Sequence, residues 1–209
     1  MNDYPTVRTD DIFIHPRESD VIVATHGRSL WIADDITPLE QLTPAVQAEA
    51  VHLFAPRNAV AYVNDLTNNP HIGGEKNFVG ENAPRGAAIN YYLKAPASDV
   101  KVSVIDAEGR TLCTSEGDKD AGIHRVQWTL VAPMLNRGGN GAGRGGFGGQ
   151  PREPDNSCSA AFGGRGGFGG GANGIAPGTY QVKLTVDGKS YTQPVDVLED
   201  KWFVARQIE

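Results

Sequence analysis

The chain has 209 residues, among them 26 glycines and 13 prolines, with 39% hydrophobic content and a formal net charge of −6. A length like this holds one large or two small domains, and the glycine and proline excess means that part of it builds no core. The acidic balance excludes a general nucleic-acid-binding surface, which needs clustered Lys and Arg to displace counterions from phosphate, and no apolar run approaches the roughly 18 residues of a membrane-spanning helix.

The first elements are short strands. Asp11-Ile12-Phe13-Ile14, Val21-Ile22-Val23-Ala24-Thr25 and Ser29-Leu30-Trp31-Ile32-Ala33 are separated by the turn-forming runs His15–Asp20 and His26-Gly27-Arg28. A three-stranded meander of this kind needs a neighbouring layer to be stable. Thr37-Pro38-Leu39-Glu40 has the layout of a capping box, with Thr37 as the cap, proline at the first helical position and Glu40 at the third. Thr43-Pro44 repeats the signal before Ala45–Ala50, a run too short to be a stable helix without packing. The chain is expected to become extended again at Val51-His52-Leu53-Phe54 and to run as loop from Asn64 to Arg85.

A second set of strands follows. Ile89, Tyr91 and Leu93 share one side of a strand, and Val100, Val102 and Val104 alternate with polar residues before the Asp106–Gly109 turn and a return through Arg110–Cys113. Val126, Trp128 and Leu130 alternate likewise, with Trp128 expected as a core anchor beside Tyr91, Tyr180 and Val182. Tyr180–Val186, Asp187-Gly188 and Ser190–Leu198 spell a hairpin, because both central residues of a type I′ turn need positive φ. Pro194 cannot donate to a ladder and predicts an edge strand. Six or seven strands at this spacing point to an antiparallel sandwich.

Between Gly138 and Gly174 the composition changes, with 16 glycines and the near-duplicate hexads Arg144–Gly149 and Arg165–Gly170. Such a segment cannot offset its ordering entropy by burial, so it is expected as a loop inserted between two strands of the sandwich. Counted from Arg137, the stretch has Arg137, Arg144, Arg152 and Arg165 against Glu153 and Asp155, a balance of +2, which gives an alternative reading as an RNA-binding arginine-glycine segment. The remaining −8 of the chain opposes that reading. Cys113 and Cys158 are the two cysteines, and the sequence leaves open whether they are free thiols or one bridge.

Motifs for chemistry are sparse. His15, His26, His52, His71 and His124 include no i, i+4 pair and have no cysteine beside them to complete a zinc set. Asp118–Gly122 resembles the opening of a calcium loop, but Thr129 stands where its bidentate glutamate belongs, so a solvated turn is the expected role. Asp10-Asp11 and Asp34-Asp35 are adjacent carboxylates that face opposite ways on strands; they read as turn and cap residues rather than a hydrolytic pair. No catalytic residue, metal site or cofactor is assigned. The one candidate ligand-binding feature is the turn presenting His26, Arg28 and Trp31, a planar and charged mixture suited to a carbohydrate or carboxylate.

Ile14-His15-Pro16-Arg17, Ala24–Arg28 and Leu30–Asp35 resemble the last blade of bacterial sortilin-like propeller proteins, often labelled glycosyl hydrolases with BNR repeats. Gly86–Leu93, His124–Trp128 and Pro177–Tyr180 look like markers of the Ig-like domain, similar to that of the flagellar hook-capping protein, that follows a helical connector in that family. The Asp-box itself is loose, since Gly27 lies four residues before Trp31 without the aspartate. The resemblance implies an all-β chain: a partial last propeller blade over 1–36, a connector and loop over 37–85, an Ig-like antiparallel β-sandwich over 86–200 with its Gly-rich loop at 134–177, and a tail at 201–209. It also implies a non-catalytic structural or binding module at the end of a larger, extracytoplasmic propeller protein. The expected partner is the rest of the propeller, in the same or a separate chain, with a carbohydrate or protein ligand beyond it. The alternative within the family is a glycosidase fragment contributing one rim loop through His26 and Arg28.

Overall fold

The computed structural model describes residues 4, 6–62, 83–130, 157–159 and 175–201. The fold is all-β, with eleven strands and two one-turn helices among the described residues. The strands β1 (Thr9–Ile14), β2 (Val21–Thr25) and β3 (Leu30–Ala33) form an antiparallel meander. The helices α1 (Thr37–Gln41) and α2 (Pro44–Ala48) then lead into β4 (Val51–Leu53) and β5 (Ala59–Ala61). Six further strands follow: β6 (Ala87–Leu93), β7 (Val100–Ile105), β8 (Thr111–Glu116), β9 (Gly122–Trp128), β10 (Gly178–Val186) and β11 (Lys189–Glu199).

β4 to β11 make a sandwich of a five-stranded sheet, ordered β5-β11-β10-β7-β8, and a three-stranded sheet, ordered β4-β6-β9. Period-two alternation sends one side of each strand inward. Ile89, Tyr91 and Leu93 of β6, the three valines of β7, Val182 and Leu184 of β10 and Trp128 of β9 are all essentially inaccessible to solvent. Tyr180 is half-buried, with its ring edge-on to Trp128 at 5.3 Å between centroids.

Two hairpins form as their turn residues dictate. Asp187 and Gly188 take φ of 48° and 82° in the turn between β10 and β11, and the Asp187 carboxylate accepts the amides of Ser98 and Asp99 at 2.9 Å each. In the turn between β7 and β8 the Asp106 carboxylate accepts the amides of Glu108 and Arg110. Thr43 caps α2 as expected, its Oγ1 accepting from the Val46 amide at 3.3 Å.

Several expectations are corrected. The sandwich is not wholly antiparallel, because β5, which no alternation announced, runs parallel to β11 through Val197, Leu198 and Glu199. Among the described residues it has eight strands, the six between Ala87 and Glu199 being joined by β4 and β5 from the connector. β11 is therefore not an edge along its whole length, although β5 stops short of Pro194, and the missing amide there leaves no ladder bond broken on that side. Thr37 is not a cap: Ile36 holds that position without a side-chain bond, and Glu40 instead accepts from the Ser19 hydroxyl. The Asn64–Arg85 loop, apart from residues 83–85, lies outside the described residues, as do the two Arg-Gly-Gly-Phe hexads and the tail after Lys201.

The cysteine question is resolved in favour of a bridge, Cys113–Cys158, across 45 residues of sequence. Ser157–Ser159 lies against the sandwich: the Cys158 amide donates to Ser115 Oγ of β8, and its carbonyl accepts from the Thr129 amide just beyond β9. Cys158, Leu130 and Ile175 join the core there. A cross-link closing a loop of this size stabilises by about 4 kcal/mol in the chain-entropy account.

Gly86 sits at φ 97°, and a Cβ there would fall 1.9 Å from the Trp128 carbonyl oxygen. Gly86→Ala should cost about 2–4 kcal/mol in denaturant melts, because backbone on both sides has to move. Gly27→Ala, at φ 77° in open space, should cost only about 1 kcal/mol. Tyr91 donates its hydroxyl to the Asp118 carbonyl at 2.7 Å, and burial, with the Asp118 carboxylate second, pushes its pKa up to about 12. The neutral phenol is what the fold stabilises, so this contribution is whole below the unfolded value near 10 and is lost as pH rises to about 12. Alkaline titration of stability should show that limb, and Tyr91→Phe should flatten it at a cost of about 1 kcal/mol near neutrality.

Candidate functional site

The β1–β3 sheet is the part of the molecule whose surface does not match its composition. Residues opposite one another across an antiparallel pair share a face. The register sets Phe13 opposite Ile22 and Ile22 opposite Ile32, with Ala24 and Leu30 alongside. On the other face Ile12, Val23 and Trp31 stand in a row, beside Ile14, Val21 and Ala33. Both faces are therefore apolar, and both are open: Phe13 is 53% and Ile32 58% exposed on the first, Ile12 62% and Ile14 51% on the second. Only Val23, on the central strand between Ile12 and Trp31, is buried. An ordinary half-buried sheet has one wet polar face; here the polar residues, Asp11 on the first face and Thr25 on the second, stand toward the end near the β2–β3 turn and leave the rest of both faces apolar.

Among the described residues, the polar bonds between the sheet and the rest of the chain are made at one end of it. β1, β2 and β3 pair with one another and, among the described residues, with no other strand. The polar bonds to the rest of the chain run from Glu18, Ser19 and Asp20, in the β1–β2 turn, and from Asp34 and Asp35, just after β3. Two arginines make the grip. Arg57 Nη1 donates to the Glu18 carbonyl and pairs with Asp20 Oδ1 at 3.2 Å. Arg125, on the outer face of β9, donates through Nη2 to the Asp35 carbonyl at 2.8 Å and through Nε to Asn90 Oδ1 at 3.0 Å. Asp20 also accepts the Asp35 amide at 2.8 Å, which holds Asp35 at φ 55°. Asp35 and Asn90 are both buried, and each is hydrogen-bonded as burial of a polar group requires.

His26, Arg28 and Trp31 belong to the opposite end of the sheet. Gly27 and Ser29, with φ of 77° and 67°, make the β2–β3 turn, closed by the Thr25 amide and hydroxyl on the Ser29 carbonyl. The bonds that His26 and Trp31 make lie within the sheet and its N-terminal approach. Trp31 Nε1 donates to the Arg28 carbonyl at 3.1 Å, and its ring meets Tyr4 edge-on. His26 Nδ1 lies 3.2 Å from Asp10 Oδ2. The β1–β2 register shifts between Thr9 and Asp11, and the intervening Asp10 carboxylate serves both His26 and Arg8. Pairs this exposed contribute little to stability. The turn is thus an ordered surface feature at the free end of the sheet.

The Asp118–Gly122 segment is tied down by protein groups: Tyr91 on the Asp118 carbonyl, His124 Nε2 on the Asp120 carbonyl at 2.7 Å, and His124 Nδ1 beside Asp118 Oδ2 at 3.5 Å. Among the described residues no three His, Cys, Asp or Glu side chains gather as a metal site, and no helix is long and apolar enough to cross a membrane. Sequence reasoning missed the arginine grip. Arg57 lies in an irregular stretch and Arg125 at a wet strand position, so neither carries a motif. Asn90 inside an apolar strand was the one available signal, since asparagine is depleted in strands.

Removing the grip should free the sheet without melting the sandwich. In Arg57→Ala/Arg125→Ala, hydrogen exchange at the Asp35 and Ile36 amides should rise about tenfold or more, each lost charged hydrogen bond being worth about 1.5–3 kcal/mol, while core amides such as Val102 and Leu184 keep their protection. Compared with protein-family models, curated proteins and solved structures, the chain matches none.

Proposed function

We propose that this chain is a non-catalytic closing module of an exported β-propeller protein of the sortilin-like kind, its first sheet serving as part of the last blade and its sandwich as an Ig-like appendage that fixes that blade's end. One observation carries the reading: the β1–β3 sheet exposes large apolar side chains on both faces and, among the described residues, is bonded to the sandwich at one end. A blade in a propeller is covered on each face by a neighbouring blade, so it needs two apolar faces, whereas a sheet that merely lids a core needs one. The residues that resemble the family's last blade, 8 to 36, are the residues of this sheet. In this reading the Tyr4–Trp31 contact and the His26–Arg28 turn lie at a rim, where a carbohydrate or protein ligand would be met.

The test is accessibility of the two faces in the protein as it occurs in the cell. Ile12→Cys and Phe13→Cys report one face each. Both should react with a maleimide at least about tenfold more slowly in the cellular protein than in the isolated 209-residue chain. Full-rate labelling of both positions in the cell overturns the proposal. So does protection of one face alone, which describes a lid, or protection of the isolated chain that disappears on dilution, which describes self-association.

A further inference from the structure

We infer that the sandwich is completed by oxidation: the chain matures in a compartment where a disulfide-bearing oxidant joins Cys113 to Cys158. This inference does not rest on the blade reading. β8 and β9 are edge strands of the two different sheets, and the gap between those edges is where Ser157–Ser159 sits. Cys158 reaches both sides, through its amide to Ser115 on β8 and through its carbonyl to Thr129 beyond β9. Its side chain is buried with Leu130 and Ile175, at 1% exposure, and Cys113 is at 3%.

The polar bonds alone are a weak fastening. Three residues flanked by glycine-rich sequence on both sides bring little apolar surface and much chain entropy. The covalent bond fixes the strap to β8. Reduction would leave two thiols in the core and would release the strap from the side it closes. The glutathione and thioredoxin systems of an ordinary cytosol keep such pairs reduced, so the closed state belongs to an oxidising compartment.

The chemistry balances with an external disulfide. One cysteine of the chain, as thiolate, attacks a sulfur of the oxidant's disulfide and expels its partner sulfur as a thiol, giving a mixed disulfide. The second cysteine's thiolate then attacks the chain's sulfur in that mixed disulfide and expels the oxidant's remaining thiol. Two protons and two electrons leave the chain, and the oxidant's disulfide becomes a dithiol.

The experiment is a non-reducing tryptic map of the protein purified from its own cells and alkylated during denaturation. Cleavage leaves Cys113 in peptide 111–119 and Cys158 in peptide 153–165. The two should appear as one cross-linked species that separates on reduction; finding both peptides alkylated as free thiols overturns the inference. On the same protein, a reductant should lower the melting temperature by about 8 °C or more, the usual consequence of losing a disulfide across a long loop. An unchanged melt with demonstrably reduced thiols would show that the strap contributes nothing to closing the sandwich, and would equally overturn it.

Discussion

Two guanidinium groups determine how the molecule is arranged. Arg57 and Arg125 project from the sandwich side and hold the near end of the β1–β3 sheet, through Glu18 and Asp20 on one side and the Asp34–Asp35 backbone on the other. Because the bonds go to one end, neither face of the sheet is consumed in making them. A guanidinium suits this role, since its fork of donors can satisfy a backbone carbonyl and a side chain at once. The buried Asp35 and Asn90 depend on it in turn, because a polar group withdrawn from water without a partner costs as much as a lost hydrogen bond or more.

The two halves of the chain solve the same problem in different ways. The sandwich folds two sheets face to face, so that each covers the other's apolar side, and its interior is dense with valines and aromatic rings. The first sheet has no such opposite number among the described residues. Its apolar side chains were placed by the same strand alternation, yet they point into solvent on both sides. Contiguous apolar surface of this kind is rare on a solitary protein and marks a place where something else packs. The proposed propeller would supply that cover on two sides, and the distal turn with His26 and Arg28 would remain outside it.

The sandwich has its own unfinished side, between the edges of β8 and β9, and the chain finishes it from within an otherwise glycine-rich insertion. Glycine-rich sequence has little with which to build an attachment. A single cysteine within it, its amide bonded to Ser115 and its carbonyl to Thr129, provides one by covalent means. The insertion is thereby divided at a fixed point, rather than spanning from Leu130 to Ile175 in one piece.

The sequence by itself determined the local features. Alternation placed Ile89, Tyr91, Val102, Trp128 and Val182 in a core, Asp187-Gly188 made its turn because only such residues accept consecutive positive φ, and the three opening strands formed where β-branched and aromatic residues cluster. Short-range chemistry is written in adjacent residues, and so is legible. Tertiary structure alone decided what depends on residues far apart in the chain. β5 became a strand by pairing parallel with β11, although three residues carry no period of their own. Glu40 gave up a cap to bond Ser19, Cys158 found Cys113, and Arg57 and Arg125 found the end of a sheet that lies some forty and ninety residues earlier. No local preference encodes such a meeting; it exists only once two packed layers have brought its partners within hydrogen-bond or covalent reach.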